Sequence, residues 1–499
     1  MKKISIRFFS SLLYLVLLLS ALSLTVFAQD GEAREISNEV TVTKTIGFND
    51  PHELFDGNGQ NYHTTSGKTS ITLEHPEGFG SLYMIFAAPY GEYTIVNDTT
   101  GESITCGTHG FIHEFIDLED AFGTAPISIT IDFGVGNVKL PEIQAFSSGQ
   151  VPSTIQKWEP NEGTKMDMIL FSTHSDDEQI FFAGVLPYYS AELDYNVLVV
   201  YMTDHHNGEF YRIHEALNGL WAVGVTTYPV FGQFMDLYTD LKDEVYWEFA
   251  KRGVSKADLQ EFVVEQIRKY QPLVTLAHDF EGEYGHGQHM AYAEVVSEAL
   301  TMSADASIFP KSAEAYGTWD VPKAYFHLYP ENPIVMDWDQ PLESFNGKTA
   351  FAVSRDLGFP CHKSQYKLFY KLNGYRLASV VERYSPCHYG LYRSLVGEDV
   401  QKNDFFENLT NYAEQERIAE EARLAEESRI AEEERLAELA RQEEEAVRAA
   451  TAETEPLTPQ EPDKGTVNAL VPAITILAGI GCILLVSQEL YRKKQNQKN

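Results

Sequence analysis

The apolar run Met166–Leu170 passes straight into FSTHSDDE, Phe171–Glu178, and a helical pattern, Gln179–Tyr189, follows at once. A strand that stops on a His, two consecutive Asp and a Glu makes an unusual use of residues. Four polar, mostly ionisable side chains on one turn repel one another and lose solvation if buried. A bound cation is the simplest way to stabilise them. The plainer reading is an acidic N-cap on the following helix, because Asp caps well and carboxylates suit helix N-termini. The remainder of the chain decides between the two.

The same pattern recurs downstream. MDMILFS, NVLVVYMT (196–203) and PLVTLAH (272–278) are apolar runs without period-two alternation, as expected of strands buried on both faces. Helical patterns over Glu178–Tyr189, Arg212–Val223 and Lys256–Tyr270 lie between them. This alternation predicts an α/β fold, a parallel sheet with helices on both sides and a site beyond the carboxyl ends of its strands. THSDDE, TDHHNGE and HDFEGEYGHGQH each follow a strand, so three polar loops converge on one edge. In the last of them His286 and His289 stand three apart where the next helix begins. His174, Asp177 and one of these two would supply two histidines and one carboxylate, leaving a coordination position for water. That is the pattern of a catalytic zinc, and the same ligands suit other divalent ions as well. Asp176 would remain free to take a proton from the water.

These motifs resemble a known family. HSDDE resembles the A-H-P-D-D-E signature of the PIG-L/LmbE-like zinc-dependent N-deacetylases, and GHGQH resembles that family's G-H-P-D-H. RIHE (212–215) matches its R-x-x-E helix start. The resemblance implies a Rossmann-like catalytic domain, expected over 160–405, that removes acetyl groups from N-acetylglucosamine-type sugars or cleaves related amides. Position by position it implies His174, Asp177 and His289 as zinc ligands and Asp176 as general base. It implies His286 as the residue that steadies the oxyanion and helps the leaving amine. Tyr284 stands where some members contact the reacting carbonyl, and Arg212 where the family's arginine holds the sugar. His205 and His206 line the same edge, either as sugar contacts or as exposed loop histidines. His278 and Asp279 are placed to support the metal-bound histidines. The chain departs from the signatures at Thr173 and Ser175, in place of Ala and Pro, and at Gly287-Gln288, in place of Pro-Asp. The ligand positions are all kept.

With 499 residues the chain has room for two or three domains. Residues 31–150 alternate in short runs separated by Gly, Asn, Asp and Pro, which predicts an all-β sandwich. Its segment LFDGNGQNYHTT resembles the turn of discoidin-like sandwich domains, and either glycan binding or a spacing role is expected of it. Residues 413–450 repeat RIAEEA, RLAEES, RIAEEE, RLAELA. A six-residue period steps Ile and Leu around a helix rather than along one stripe, so a single solvated helical stalk is expected and a coiled coil is not. Arg and Glu recur at i,i+3 and i,i+4 to support it.

The ends complete the expectation. Residues 1–28 have the basic start, apolar centre and small-residue stop of a signal peptide. After a linker, 451–467, the run 468–488 is apolar for the length of a transmembrane helix, and a basic tail, 489–499, follows. A single-pass type I protein of the cell membrane is therefore expected, its catalytic domain extracellular and its substrate an N-acetylated glycan. The net charge of −35 argues against nucleic acid as a partner. Of four cysteines, Cys361 and Cys387 could pair in an oxidising compartment. Two alternatives stand beside a zinc deacetylase: hydrolysis of another acyl amide at the same metal, and an inactive, anchored glycan-binding protein.

Overall fold

Strand β1, Met168–Ser172, buries all five of its residues. Its period-two alternation sends Met168 and Leu170 into one apolar cluster and Ile169 and Phe171 into another. Strand β2, Val197–Thr203, divides in the same way: Val197, Val199 and Tyr201 lie on one side, Leu198, Val200 and Met202 on the other. A strand apolar on both faces has to sit inside a sheet covered on both faces, and that is where these two lie. The computed structural model describes residues 31–59, 61–205, 210–365 and 374–452. The other strands of this sheet are β3, Val230–Phe234, β4, Val274–Ala277, β5, Lys323–His327, β6, Pro333–Val335, and β7, His388–Ser394. Their order is β3-β2-β1-β4-β5-β7-β6. The first five run parallel, and β7 pairs antiparallel with both β5 and β6.

Helix Lys256–Tyr270 begins on a capping box, in which the Ser255 side chain accepts from the Asp258 amide and Asp258 accepts in return from the Ser255 amide. Such a box satisfies two otherwise orphaned donors. The helix buries Leu259, Val263, Val264 and Ile267, a stripe at helical spacing, in the second cluster. The helix expected over Glu178–Tyr189 is corrected. A short helix, Asp177–Ile180, is followed by a break and a separate wide turn, Pro187–Glu192. Gly184 takes φ +98°, and a Cβ there would lie 2.5 Å from Trp338 Cγ. Close packing of that indole interrupts the helix.

Among the described residues before β1 there are, besides a short two-stranded sheet of His63–Thr64 with Lys139–Leu140, two larger antiparallel sheets. One has five strands in the order Thr41–Ile46, Lys68–Glu74, Ser128–Val135, Tyr93–Asn97, Ser103–Cys106. The other has three, Glu142–Phe146, Ser81–Ile85 and His113–Asp117. Ile71, Ile95 and Ile131 of the first share one apolar cluster with Leu82, Met84 and Ile143 of the second. That cluster continues to Trp158 and to one face of the α/β sheet.

The sandwich meets the α/β part along residues 210–228, which include helix Tyr211–Ala222. His113 Nε2 lies 2.6 Å from His214 Nδ1, and the Gln156 amide donates to Asn218 Oδ1 at 2.6 Å. The Ile112 amide donates to the Tyr228 hydroxyl, and Phe111 stacks on that ring at 4.5 Å. Trp158 packs edge-on against Trp221, and Tyr62 edge-on against Phe210.

One unit of the fold reaches to Ile418 and a second begins at Ala419. The helix Tyr412–Ala452, 41 residues long, covers the expected stalk. Arg423 pairs with Glu420 and Glu427, and Arg429 with Glu426 and Glu433. Ile418, Leu424, Ile430 and Leu436 are exposed along it.

Placement in a membrane is corrected. Among the described residues no helix is long and apolar enough to cross a membrane, the long C-terminal helix being charged throughout. The expectation of a type I membrane protein with an extracellular catalytic domain is therefore not carried forward. The expected signal (1–28), apolar span (468–488) and tail (489–499) lie outside the described residues, as does the linker beyond Ala452. The pairing of Cys361 with Cys387 is corrected as well: both are free thiols, and Cys361 Sγ donates to the Leu357 carbonyl.

Candidate active site

The turn after β1 folds around its own carboxylates. The His174 amide donates to Asp177 Oδ2 at 2.9 Å, and the Asp176 amide donates to Glu178 Oε2 at 2.8 Å. Asp176 takes φ +143°, a left-handed backbone that a side chain makes costly, typically by about 1–3 kcal/mol. Bonds on both sides hold it there. The Ser175 amide donates to His205 Nε2, and Arg212 donates to the Ser175 carbonyl at 3.0 Å.

Three donor atoms converge at the end of the strand. Asp177 Oδ2 lies 3.0 Å from His174 Nδ1 and 3.2 Å from His289 Nε2, and the two nitrogens are 3.2 Å apart. A tetrahedral ion with bonds of about 2.0–2.2 Å needs donors roughly 3.3–3.5 Å apart, so these three residues fit one with little movement. Two overlapping donor groups also surround the point, His174 with His286 and His289, and Asp177 with His278 and His289. Their extra members are engaged elsewhere. His278 Nε2 accepts from the Thr173 amide at 3.0 Å, and His286 Nδ1 accepts from the Gln288 amide at 3.1 Å.

Charge accounts for the protonation of this cluster. Burial opposes a charge on His174, but Asp236 and Asp177 outweigh it and raise its pKa to about 10. Burial likewise opposes charge on His289, and Asp177 and Glu283 raise it to about 9. Asp177 is held well below the usual carboxylate range, against burial, by His289 and His174. In the metal-free protein two protons thus take the place of a cation's charge. His286 moves the other way, to about 3, through burial and the neighbouring His174 and His289. It is therefore neutral. Because its Nδ1 accepts a hydrogen bond, its proton sits on Nε2.

Glu283 gathers the histidines from behind. It is fully buried and accepts from His289 Nδ1 at 2.6 Å, His278 Nδ1 at 2.8 Å and His327 Nδ1 at 2.7 Å. A carboxylate on the far nitrogen of a ligating histidine fixes its tautomer and orientation. Asp176 is buried too, and burial together with Asp177 raises its pKa to about 7, while Arg212, 3.4 Å from Oδ1, draws it down. Arg212 is turned inward, pairing with Asp236 at 3.0 Å as well. Tyr284 stands at the rim, 37% exposed, its ring edge-on to His286 at 5.5 Å.

The structure brings His174, Asp176, Asp177, Tyr284, His286 and His289 together. Arg212 joins them as an internal partner of Asp176 rather than an open cation. His205 is buried beneath the Ser175 amide, bonded to Thr203 Oγ1 at 2.8 Å, and does not line the mouth. His206 lies outside the described residues. Among the supporting residues expected, His278 is placed against Glu283, whereas Asp279 takes its amide bond to Glu283 with its carboxylate turned to the Glu281 amide. Glu283, Asp236, His327 and the buried Glu178–His362 pair, 3.0 Å apart, escaped the sequence reading. Asp236 carried a usable signal: it directly follows β3, where the strand-end rule places site residues. His327 and His362 come from the stretch that carried no motif.

The chain is similar to several known proteins. The family profile described as PIG-L, GlcNAc-PI de-N-acetylase, matches residues 169–300. A 1D-myo-inositol 2-acetamido-2-deoxy-alpha-D-glucopyranoside deacetylase of Catenulispora acidiphila is 26% identical over 37% of this chain and 62% of its own length. A deacetylase of the same description from Frankia casuarinae is 29% identical over 30% of this chain and 54% of its own. The chain thus spans roughly three fifths of the first relative. Among solved structures, N,N'-diacetylchitobiose deacetylase from Pyrococcus horikoshii is 15% identical, with a TM-score of 0.31 over 45% of this chain and 83% of that one.

Proposed function

From the premise that its α/β domain belongs to the PIG-L/LmbE-like deacetylase family, we propose that the chain hydrolyses the acetamide of an N-acetylglucosamine-type sugar. One observation carries the reading: three donors 3.0–3.2 Å apart, with a buried second carboxylate on the adjacent residue. His174, Asp177 and His289 would hold one divalent ion, and two nitrogens with one oxygen, within a small movement of tetrahedral spacing, suit zinc. When bound, the ion supplies a Lewis acid and a water of lowered pKa.

The chain's own residues do the rest. Asp176, with a pKa raised to about 7, is poised to take a proton near neutrality and to return it to the departing amine. Arg212 and the Glu178 carboxylate fix it, one at the side chain and one at the amide. His286 presents an Nε2 proton to the oxygen on which charge develops. Tyr284 covers the approach from the rim. Glu283 keeps His289 directed at the ion, its bond to Nδ1 leaving Nε2 to ligate.

The test is acetate release from a panel of N-acetylglucosamine oligomers by the zinc-loaded protein, beside Asp176→Asn. The substitution is expected to lower the rate by about 10²–10⁴ with the metal content unchanged. Equal rates from both proteins would remove Asp176 as the base. No release from the unsubstituted protein with zinc bound would sink the deacetylase reading.

A further inference from the structure

The two positions at which the GHGQH loop departs from its family signature share a structural task. Gly287 and Gln288 hold the strap Met235–Leu241, which follows the end of β3 and packs against the loop that carries His286 and His289. The Gly287 amide donates to the Thr239 carbonyl at 2.7 Å, a bond that a proline could not make. A Cβ at Gly287 would lie 2.7 Å from the Leu241 carbonyl carbon, so the strap lies where only glycine allows it. Gln288 clamps the near end: its amide donates to the Met235 carbonyl and accepts from the Leu237 amide, each at 2.8 Å. Asp236 ties the same strap to Arg212 at 3.0 Å and to His174 at 3.4 Å.

This anchoring fixes one side chain in water. Leu237 packs against the core, and Tyr238 is left 80% exposed. Its ring stands perpendicular to that of His286 with centroids 5.3 Å apart, and Tyr284 stands perpendicular to the same imidazole at 5.5 Å. A lone exposed aromatic means little. A phenol ring held by a four-point strap beside the most acid-shifted histidine of the site is a platform.

We propose that Tyr238 stacks on the C–H face of a pyranose ring of the substrate and sets the preference for sugar amides over simple ones. The proposal rests on the deacetylase reading. A pyranose offers an apolar face and a polar rim, and the site offers the same pair: a flat aromatic surface beside buried polar groups. An acetamide without a ring would reach Asp176 and His286 and gain nothing from Tyr238.

The experiment uses the full chain, zinc-loaded. Binding of a β-linked N-acetylglucosamine dimer to Asp176→Asn is followed by NMR titration, with and without Tyr238→Ala and Tyr238→Trp. The alanine change is expected to weaken binding roughly fivefold or more, and tryptophan to preserve it. With Asp176 in place, Tyr238→Ala should raise KM for the dimer while kcat stays within about twofold, and leave hydrolysis of N-methylacetamide unchanged. Unchanged binding would overturn the platform, as would a fall in kcat at constant KM, which would make Tyr238 a support for His286. Tyr238-dependent binding without acetate release would keep the platform and sink the deacetylase reading instead.

Discussion

Asp177 lies between two histidines that each hold a proton in the metal-free protein, and the same lone pairs must be free to ligate an ion. Metal uptake near neutrality should therefore release about two protons. The sign follows from the raised pKa values, about 10 for His174 and about 9 for His289. Affinity should climb as pH rises towards 9 and fall as pH drops, by up to roughly tenfold per unit for each proton displaced. Zinc titration calorimetry across pH 6–9, in buffers of different ionisation enthalpy, measures both quantities. Uptake without proton release would contradict the ligand set. These ligands were legible because a strand-end HxxD turn and a Gly-bracketed pair of histidines are local patterns. Glu283 was not: its role depends on His278 and His327, which approach from β4 and β5, and although its strand-end position marked His278, nothing local marked His327.

At the scale of elements, the helix Lys256–Tyr270 matches its sequence pattern residue for residue, because its capping box and apolar stripe are both contained in the segment. The helix expected over Glu178–Tyr189 fails at Gly184, where the cause, Trp338, lies more than a hundred and fifty residues away. Strand β3 and the strap after it were missed for a related reason. VFGQF is only partly buried, and what holds the strap is the Gly287-Gln288 pair on another loop. Gly287→Ala should therefore destabilise the fold by about 1–3 kcal/mol, since strap backbone rather than a flexible side-chain tip would have to move. Denaturant unfolding of the full chain checks this. An unchanged midpoint would mean that the strap yields without cost.

Across the first unit as a whole, the parallel sheet was readable from its apolar runs and the sandwich from its turns. Their joint was not, because His113 and His214 belong to segments with no shared pattern. Burial, then the nearby His214, holds the His113 pKa well below its ordinary 6.5. Tyr83, Gln156 and His214 are its hydrogen-bonding partners, and none of them is an acid. A histidine kept neutral in the fold but free to charge when unfolded contributes stability above about pH 6.5 and loses it below. Unfolding free energy should thus decline on acidification beneath that pH, by at most about 1.4 kcal/mol per unit for this one proton, and His113→Gln should flatten the decline. Denaturation measured from pH 4 to 8 with both proteins decides it. The joint also has a consequence for dissection. The sandwich clasps the helix whose first turn carries Arg212, so cutting the chain between the two would strip hydrogen-bonding and apolar partners from both cut faces. Neither half is expected to stay soluble alone as well as the joined pair does.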